Sequence, residues 1–215
     1  MRANWGRVAS LSALPFVVLV IAATVNGSFL SSNSSGAKVV SYYTAHRGAE
    51  HIDVVLIGLA VFVGSFFFGS VRSYLRSDPE VEWLAAVGFG GAIIFGMGAL
   101  VESGALFALT DKPSQLDHAT ARTLNLVPTL FTTVTIGVGV ATLLCANGLA
   151  ILRSRLLPTW LAWFGIAAGI VALIPWIEFI GLYGVGVWSL ATGYLMYRCQ
   201  AEPRKETPLA APTSR

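Results

Sequence analysis

The sequence predicts an all-α protein, a polytopic transmembrane bundle of six helical spans with short amphipathic helices in its two outer loops. Three observations predict it. Hydrophobic residues make up 55% of the 215 and charged residues only 12%, about half the charged share of a soluble domain. The stretch from Trp83 to Leu109 is apolar throughout except for one carboxylate, Glu102. That is longer than a bilayer needs and too long for a soluble core helix. Finally, the other apolar runs repeat this format, with arginines gathered at their ends.

Taken in order, Arg2, Trp5 and Arg7 precede an apolar run from Val8 to about Leu30. The run exceeds the apolar region of a signal peptide and reads as a retained first span. After the polar linker Ser31 to Gly36, residues 38–53 place Val39, Val40, Tyr43 and Arg47 at helical spacing. This predicts an amphipathic helix lying on the membrane surface, with Tyr42 and Tyr43 at headgroup level. The second span runs from Val54 to Val71 and closes on Arg72 and Arg76.

Asp78-Pro79-Glu80 is a helix-start signature, Asp capping and Pro at the first helical position, and it launches the third span, Trp83 to Leu109. The polar connection that follows predicts a short helix from about Ser114, with Leu116, Ala119 and Thr123 on one face. The fourth span is Leu126 to Leu152, containing Pro128 and closed by Arg153 and Arg155. From Leu156 to Tyr197 the chain is apolar for about twice the length of one span. It must reverse, and Pro175-Trp176-Ile177-Glu178 is the turn, giving spans at 157–176 and 179–197. The tail 198–215, rich in Pro, Ala and charge, is expected to be disordered.

Ten basic residues fall on one side of these spans (Arg2, Arg7, Arg72, Arg76, Arg153, Arg155, Arg198, Arg204, Lys205 and Arg215). Four fall on the other (Lys38, Arg47, Lys112 and Arg122). The positive-inside rule then puts both termini in the cytoplasm. The sequence pI of 9.1 is therefore a topology signal rather than a nucleic-acid footprint, because the basic residues form no patch with interleaved aromatics. Two inner turns echo each other, with Trp-Leu-Ala-x-x-Gly at Trp83 and again at Trp160. Small residues four apart (Gly88, Ala92 and Gly96; Thr133, Gly137, Ala141 and Cys145; Gly165 and Gly169) predict close helix contacts.

The sparse polar groups fall at one expected height. Glu102 is 19 residues beyond Trp83, Glu178 18 beyond Trp160, Asp53 19 before Arg72 and Asn26 19 after Arg7. That is roughly 27–29 Å from the arginine side at 1.5 Å per residue. Intramembrane carboxylates are costly unless paired or hydrated, so this layer holds the candidate functional residues. His46, His51, His118 and Arg122 are their candidate partners, and Glu102 is the best of the layer because the chain stays apolar beyond it. His46, Glu50, His51 and Asp53 have the spacing of a metal cluster, yet HExxH is absent and Gly48 weakens the helix it would need. No catalytic, nucleotide or metal motif stands out, and no cofactor is implied.

Three segments, SYYTAHR (Ser41 to Arg47), LDHATARTLN (Leu116 to Asn125) and PTWLAWFG (Pro158 to Gly165), resemble an uncharacterised family of small multi-pass membrane proteins common in actinobacteria. The resemblance implies a bacterial plasma-membrane protein of about six helices with two structured outer loops and no catalytic residues. The sequence thus favours a non-enzymatic subunit or scaffold, in contact with the lipid bilayer, whose partner is a second copy or another membrane protein. A small-solute or ion transporter built on the Glu102 layer is the alternative, and a membrane-embedded hydrolase with an outer-face site the third reading.

Overall fold

Chain reversals set the architecture, and those at Ser35, Asp78-Pro79, Asp117 and Pro158 are written by a capping residue or a proline. The computed structural model describes residues 5–26, 30–174 and 177–200. Helices α1 (Trp5–Leu11) and α2 (Ala13–Asn26) form one interrupted rod. Pro15 has no N–H for the Leu11 carbonyl, and the Ser12 hydroxyl bonds back to Ala9, so the helix breaks between them.

Helix α3 (Gly36–Leu75) is 40 residues long, about 60 Å. This corrects the expected surface-lying helix at 38–53, which is continuous with the second span instead of separate from it. Ser35 caps the start by accepting from the Lys38 N–H at 3.4 Å. No proline or cap follows within the helix, and Gly48, facing open space, costs only about 1 kcal/mol. One glycine does not stop a helix that packing supports on both sides.

Asp78 accepts from the Glu80 N–H at 3.0 Å and Pro79 opens a 3₁₀ turn leading into α4 (Glu82–Asp111), as the start signature predicts. A second 3₁₀ turn (Pro113–Gln115) precedes α5 (His118–Phe131). The expected helix from Ser114 thus begins four residues later. Asp117 caps it, accepting from the Ala119 and Thr120 N–H groups at 2.9 Å and from the Thr120 hydroxyl at 2.6 Å. Ala119 and Thr123, expected on one face with Leu116, are exposed, while Ala121 and Asn125 are buried.

Helix α5 also does not stop where the fourth span was expected to start. It passes through a π-helical turn (Thr132–Ile136) into α6 (Gly137–Ser154). Pro128 cannot bond to Leu124, and the altered turn that follows is the known consequence of such a gap. Helix α6 closes on Arg155, in left-handed backbone at φ 52°, whose N–H bonds to the Ile151 carbonyl at 2.9 Å. Helices α7 (Thr159–Ala172) and α8 (Glu178–Cys199) complete the bundle. Pro175 and Trp176 of the expected turn, and the tail from 201 on, lie outside the described residues.

Contacts fix the pairing. Gly181, Gly184 and Gly165 meet Ala172, Ala168 and Trp188, so α7 and α8 run antiparallel. Gly88, Gly91 and Gly98 of α4 meet Asn147, Leu143 and Ile136, again antiparallel. At Gly91 an added Cβ would collide with the Leu143 backbone, and at Gly139 it would lie 2.5 Å from the Phe95 nitrogen. The small-residue face differs from the expected one, because Gly96 faces Val61 of α3 instead of α6. Helices α4 and α7, which carry the echoed motif, both pack antiparallel on α6.

The main core joins Phe16, Phe67, Leu75, Leu84, Leu143, Leu144, Leu161, Trp188 and Met196. Around it lies an inverted surface of exposed large apolar side chains, among them Val18, Ile21, Phe62, Phe66, Ile93, Met97 and Val187. Among the described residues, five helical stretches are long and apolar enough to cross a membrane: Gly6–Val25, Gly36–Leu75, Pro79–Asp111, Val134–Ser154 and Phe179–Cys199. By length and hydropathy the chain is a multi-pass membrane protein. Helix α7, at 14 residues, spans only about 21 Å.

Candidate functional site: a buried polar cluster beneath a helical cap

Beyond the bundle, at the end away from the arginines, the first half of α3, the end of α4 and the start of α5 form a cap with its own apolar cluster. Val39, Tyr43, Leu109 and Ala121 are its buried members, flanked by Leu30, Leu106, Leu116 and Leu124. The helices touch backbone to backbone where Gly36 meets the His118 carbonyl, a position with no room for a Cβ. Tyr43 donates to Asn125 Oδ1 at 3.4 Å, and Asn125 Nδ2 donates to the Ser31 carbonyl at 3.2 Å. One buried amide thus ties α3, α5 and the linker before α3 together. Arg47 and Asp111 add an exposed ion pair at 3.7 Å between α3 and α4, of a kind worth about 0–1 kcal/mol.

The stripe that buries Val39 and Tyr43 continues down α3. Seven and ten residues beyond Tyr43 it reaches Glu50 and Asp53, only 4% and 3% exposed. Their burial follows from helical periodicity: the same face later buries Ala60, Gly64, Phe67 and Val71. Tyr42 donates to Glu50 Oε1 at 3.3 Å. Ser103 of α4 donates to the Val54 carbonyl at 3.4 Å, which brings residues 53–54 beside 102–103. Glu102 is half-buried there, and Glu50, Asp53 and Glu102 are each engaged by neighbouring groups. His51 lies alongside with its ring 5.8 Å from that of Phe107 and its Nε2 buried without a hydrogen-bond partner.

Of the residues expected in the polar layer, Asp53 and Glu102 are brought to one level. Asn26 closes α2 and Glu178 opens α8, and their side chains lie outside the described residues. The expected partners are spread out. His46 is exposed and stacked on Tyr42, ring centroids 4.3 Å apart, with Nδ1 3.0 Å from the Tyr42 carbonyl. His118 and Arg122 are exposed on α5. Among the described residues no three His, Cys, Asp or Glu side chains are grouped to hold a metal ion.

Sequence reading missed the burial of Glu50 and the Tyr43–Asn125–Ser31 link. Extending the Val39/Tyr43 stripe by two turns would have found the first. The second pairs residues 82 apart, and no local pattern announces it. Outside the membrane-spanning helices, one carboxyl is shifted: Asp117 is held below the ordinary aspartate value, chiefly by the Thr120 hydroxyl and then by backbone N–H groups.

Chemically the cluster places two buried carboxyl groups three residues apart on one helix face, with Glu102 at the same level on α4, an arrangement costly in lipid unless each group is paired. Compared with known proteins, the chain matches no family model, no curated protein and no solved structure.

Proposed function

We propose that this chain is a non-enzymatic six-span protein of a bacterial plasma membrane, both termini cytoplasmic, that binds a membrane partner through its external cap. The positive-inside count supports the orientation, since the cap carries four basic residues and the sequence has ten on the other side of the expected spans. Helix α7 serves as the remaining span in spite of its length. It is antiparallel to both α6 and α8, so it returns the chain to the cap end, and Trp163, Ile170 and Leu173 are exposed along it.

The observation that carries it is that the two outer segments are folded onto each other around a small core, held by Asn125. A photo-crosslinking residue at Thr44 or Thr123, both exposed on the cap, should give a discrete protein adduct in intact membranes. The same residue at Phe62 in the apolar belt should not. An absence of adducts from the cap positions refutes the reading.

The burial of Glu50 and Asp53 beside Glu102 favours a second reading, a transporter of protons or small cations. In proteoliposomes it requires a flux that Asp53→Asn and Glu102→Gln abolish, and cysteine accessibility reaching below residue 102 in α4.

A further inference from the structure

At the arginine end, the break between α1 and α2 leaves a groove of about 300 Å³ against α8, lined by Leu11, Leu14, Leu190, Gly193, Tyr194 and Tyr197. Leu11, Leu14, Tyr194 and Tyr197 are all exposed, so the groove opens on the apolar belt. Two guanidinium groups lie on the tyrosine rings that form one end of it. Arg7 Cζ is 5.5 Å from the Tyr197 ring centroid and Arg198 Cζ 5.9 Å from that of Tyr194.

Neither arginine has a carboxylate partner among the described residues. Arg7 is half-buried, and its Nε is buried with no hydrogen-bond acceptor. Arg7, held on an aromatic face with a buried N–H unsatisfied, would be stabilised by an anion, and Arg198 adds a second positive charge beside it. An apolar channel leading away from that point into the belt needs a hydrocarbon chain.

We propose that this groove binds one anionic phospholipid, its phosphate between Arg7 and Arg198 and one acyl chain along α8 from Tyr197 toward Leu190. That path is seven residues, about 10 Å, and runs from the interface into the hydrocarbon. The chain gains little over bulk lipid, because the groove is no more apolar than the bilayer. Selectivity therefore comes from headgroup charge, as in basic pockets between membrane helices. The inference rests on the protein being membrane-embedded, and is independent of the role given to the cap.

Native mass spectrometry and thermal unfolding of the detergent-purified protein test it, with phosphatidylglycerol and phosphatidylcholine of identical chains as probes. Phosphatidylglycerol should be retained as a one-to-one adduct and raise the unfolding midpoint, and phosphatidylcholine should do neither. Arg198→Gln, at an exposed site, should weaken the adduct about tenfold, the size of one lost charge-assisted contact, and Arg7→Gln with it should abolish the adduct. Leu14→Trp, which fills the groove, should displace the lipid, whereas Phe66→Trp on the exposed face of α3 should not. Equal retention of both lipids, full retention in the arginine variants, or the same stabilisation by soluble glycerol phosphate would each overturn the proposal. So would a dimer that Leu14→Trp dissociates, since a second copy would then fill the groove.

Discussion

The bundle and the cap both use close glycine contacts, Gly91 on Leu143 in one and Gly36 on His118 in the other, and differ in what is added to them. Between α4 and α6 the contact is backbone on backbone: Gly91 against Leu143, Gly139 against Phe95, with no space for one more carbon. In the cap, besides the Gly36–His118 contact, a tyrosine, an amide and a carbonyl link the segments around four buried apolar residues. With the cap outside the bilayer, as proposed, the difference follows from the solvent. Lipid gives apolar side chains no reason to leave it, so helices in it associate through close packing of small residues. Water drives apolar side chains together even in a small cluster, and lets polar groups set the register.

The largest test of this contrast is Gly91→Leu. It should cost more than about 3 kcal/mol and scatter the bundle, seen as loss of a monodisperse peak and of the thermal transition in detergent. Gly104→Ala is its control, since nothing lies within 4 Å of an added Cβ there. It should be neutral or slightly stabilising.

Next in size, Asn125→Ala should cost about 1–3 kcal/mol, confined to the cap. Amide exchange should accelerate at residues 36–47 and 118–125 and stay unchanged in α6 and α8. If exchange rises in both regions, the two are one cooperative unit and the contrast fails.

Acid should loosen the start of α5, with a smaller effect. Because Asp117 is held below its ordinary value, its contribution to α5 is complete above the ordinary aspartate range. It is lost as pH falls through the still lower folded value. Exchange of the Ala119 and Thr120 amides should rise there, and Asp117→Asn, which keeps an acceptor oxygen, should remove that dependence. The smallest effect is expected at the bundle's arginine end, where Arg155→Gly relieves left-handed backbone and should stabilise by about 0.5 kcal/mol in thermal unfolding.

The apolar runs made the spans legible, because hydropathy over twenty residues is a strong and local signal. The third span is the clearest case: Asp78, Pro79 and the run from Trp83 give both its start and its extent. Junctions were less legible. Residues 48–54 hold a glycine and three charged or titratable groups, the composition of a boundary, yet the helix crosses them because packing supports it on both sides. Pro15, which breaks the first rod, is a local signal that the apolar count overrides. Half of the cluster was visible, since Asp53 and Glu102 follow from spacing. Asn125 was not, because its role depends on Tyr43 and Ser31, distant along the chain and adjacent only once the cap has closed.

Helix α3 has a mechanical consequence. A single stiff rod of about 60 Å carries Tyr43 and Glu50 near one end and Phe67, Val71 and Leu75, locked in the main core, near the other. With no hinge between them, any load that leans the head of this lever must displace its foot, so whatever pulls on the cap is felt at Arg72.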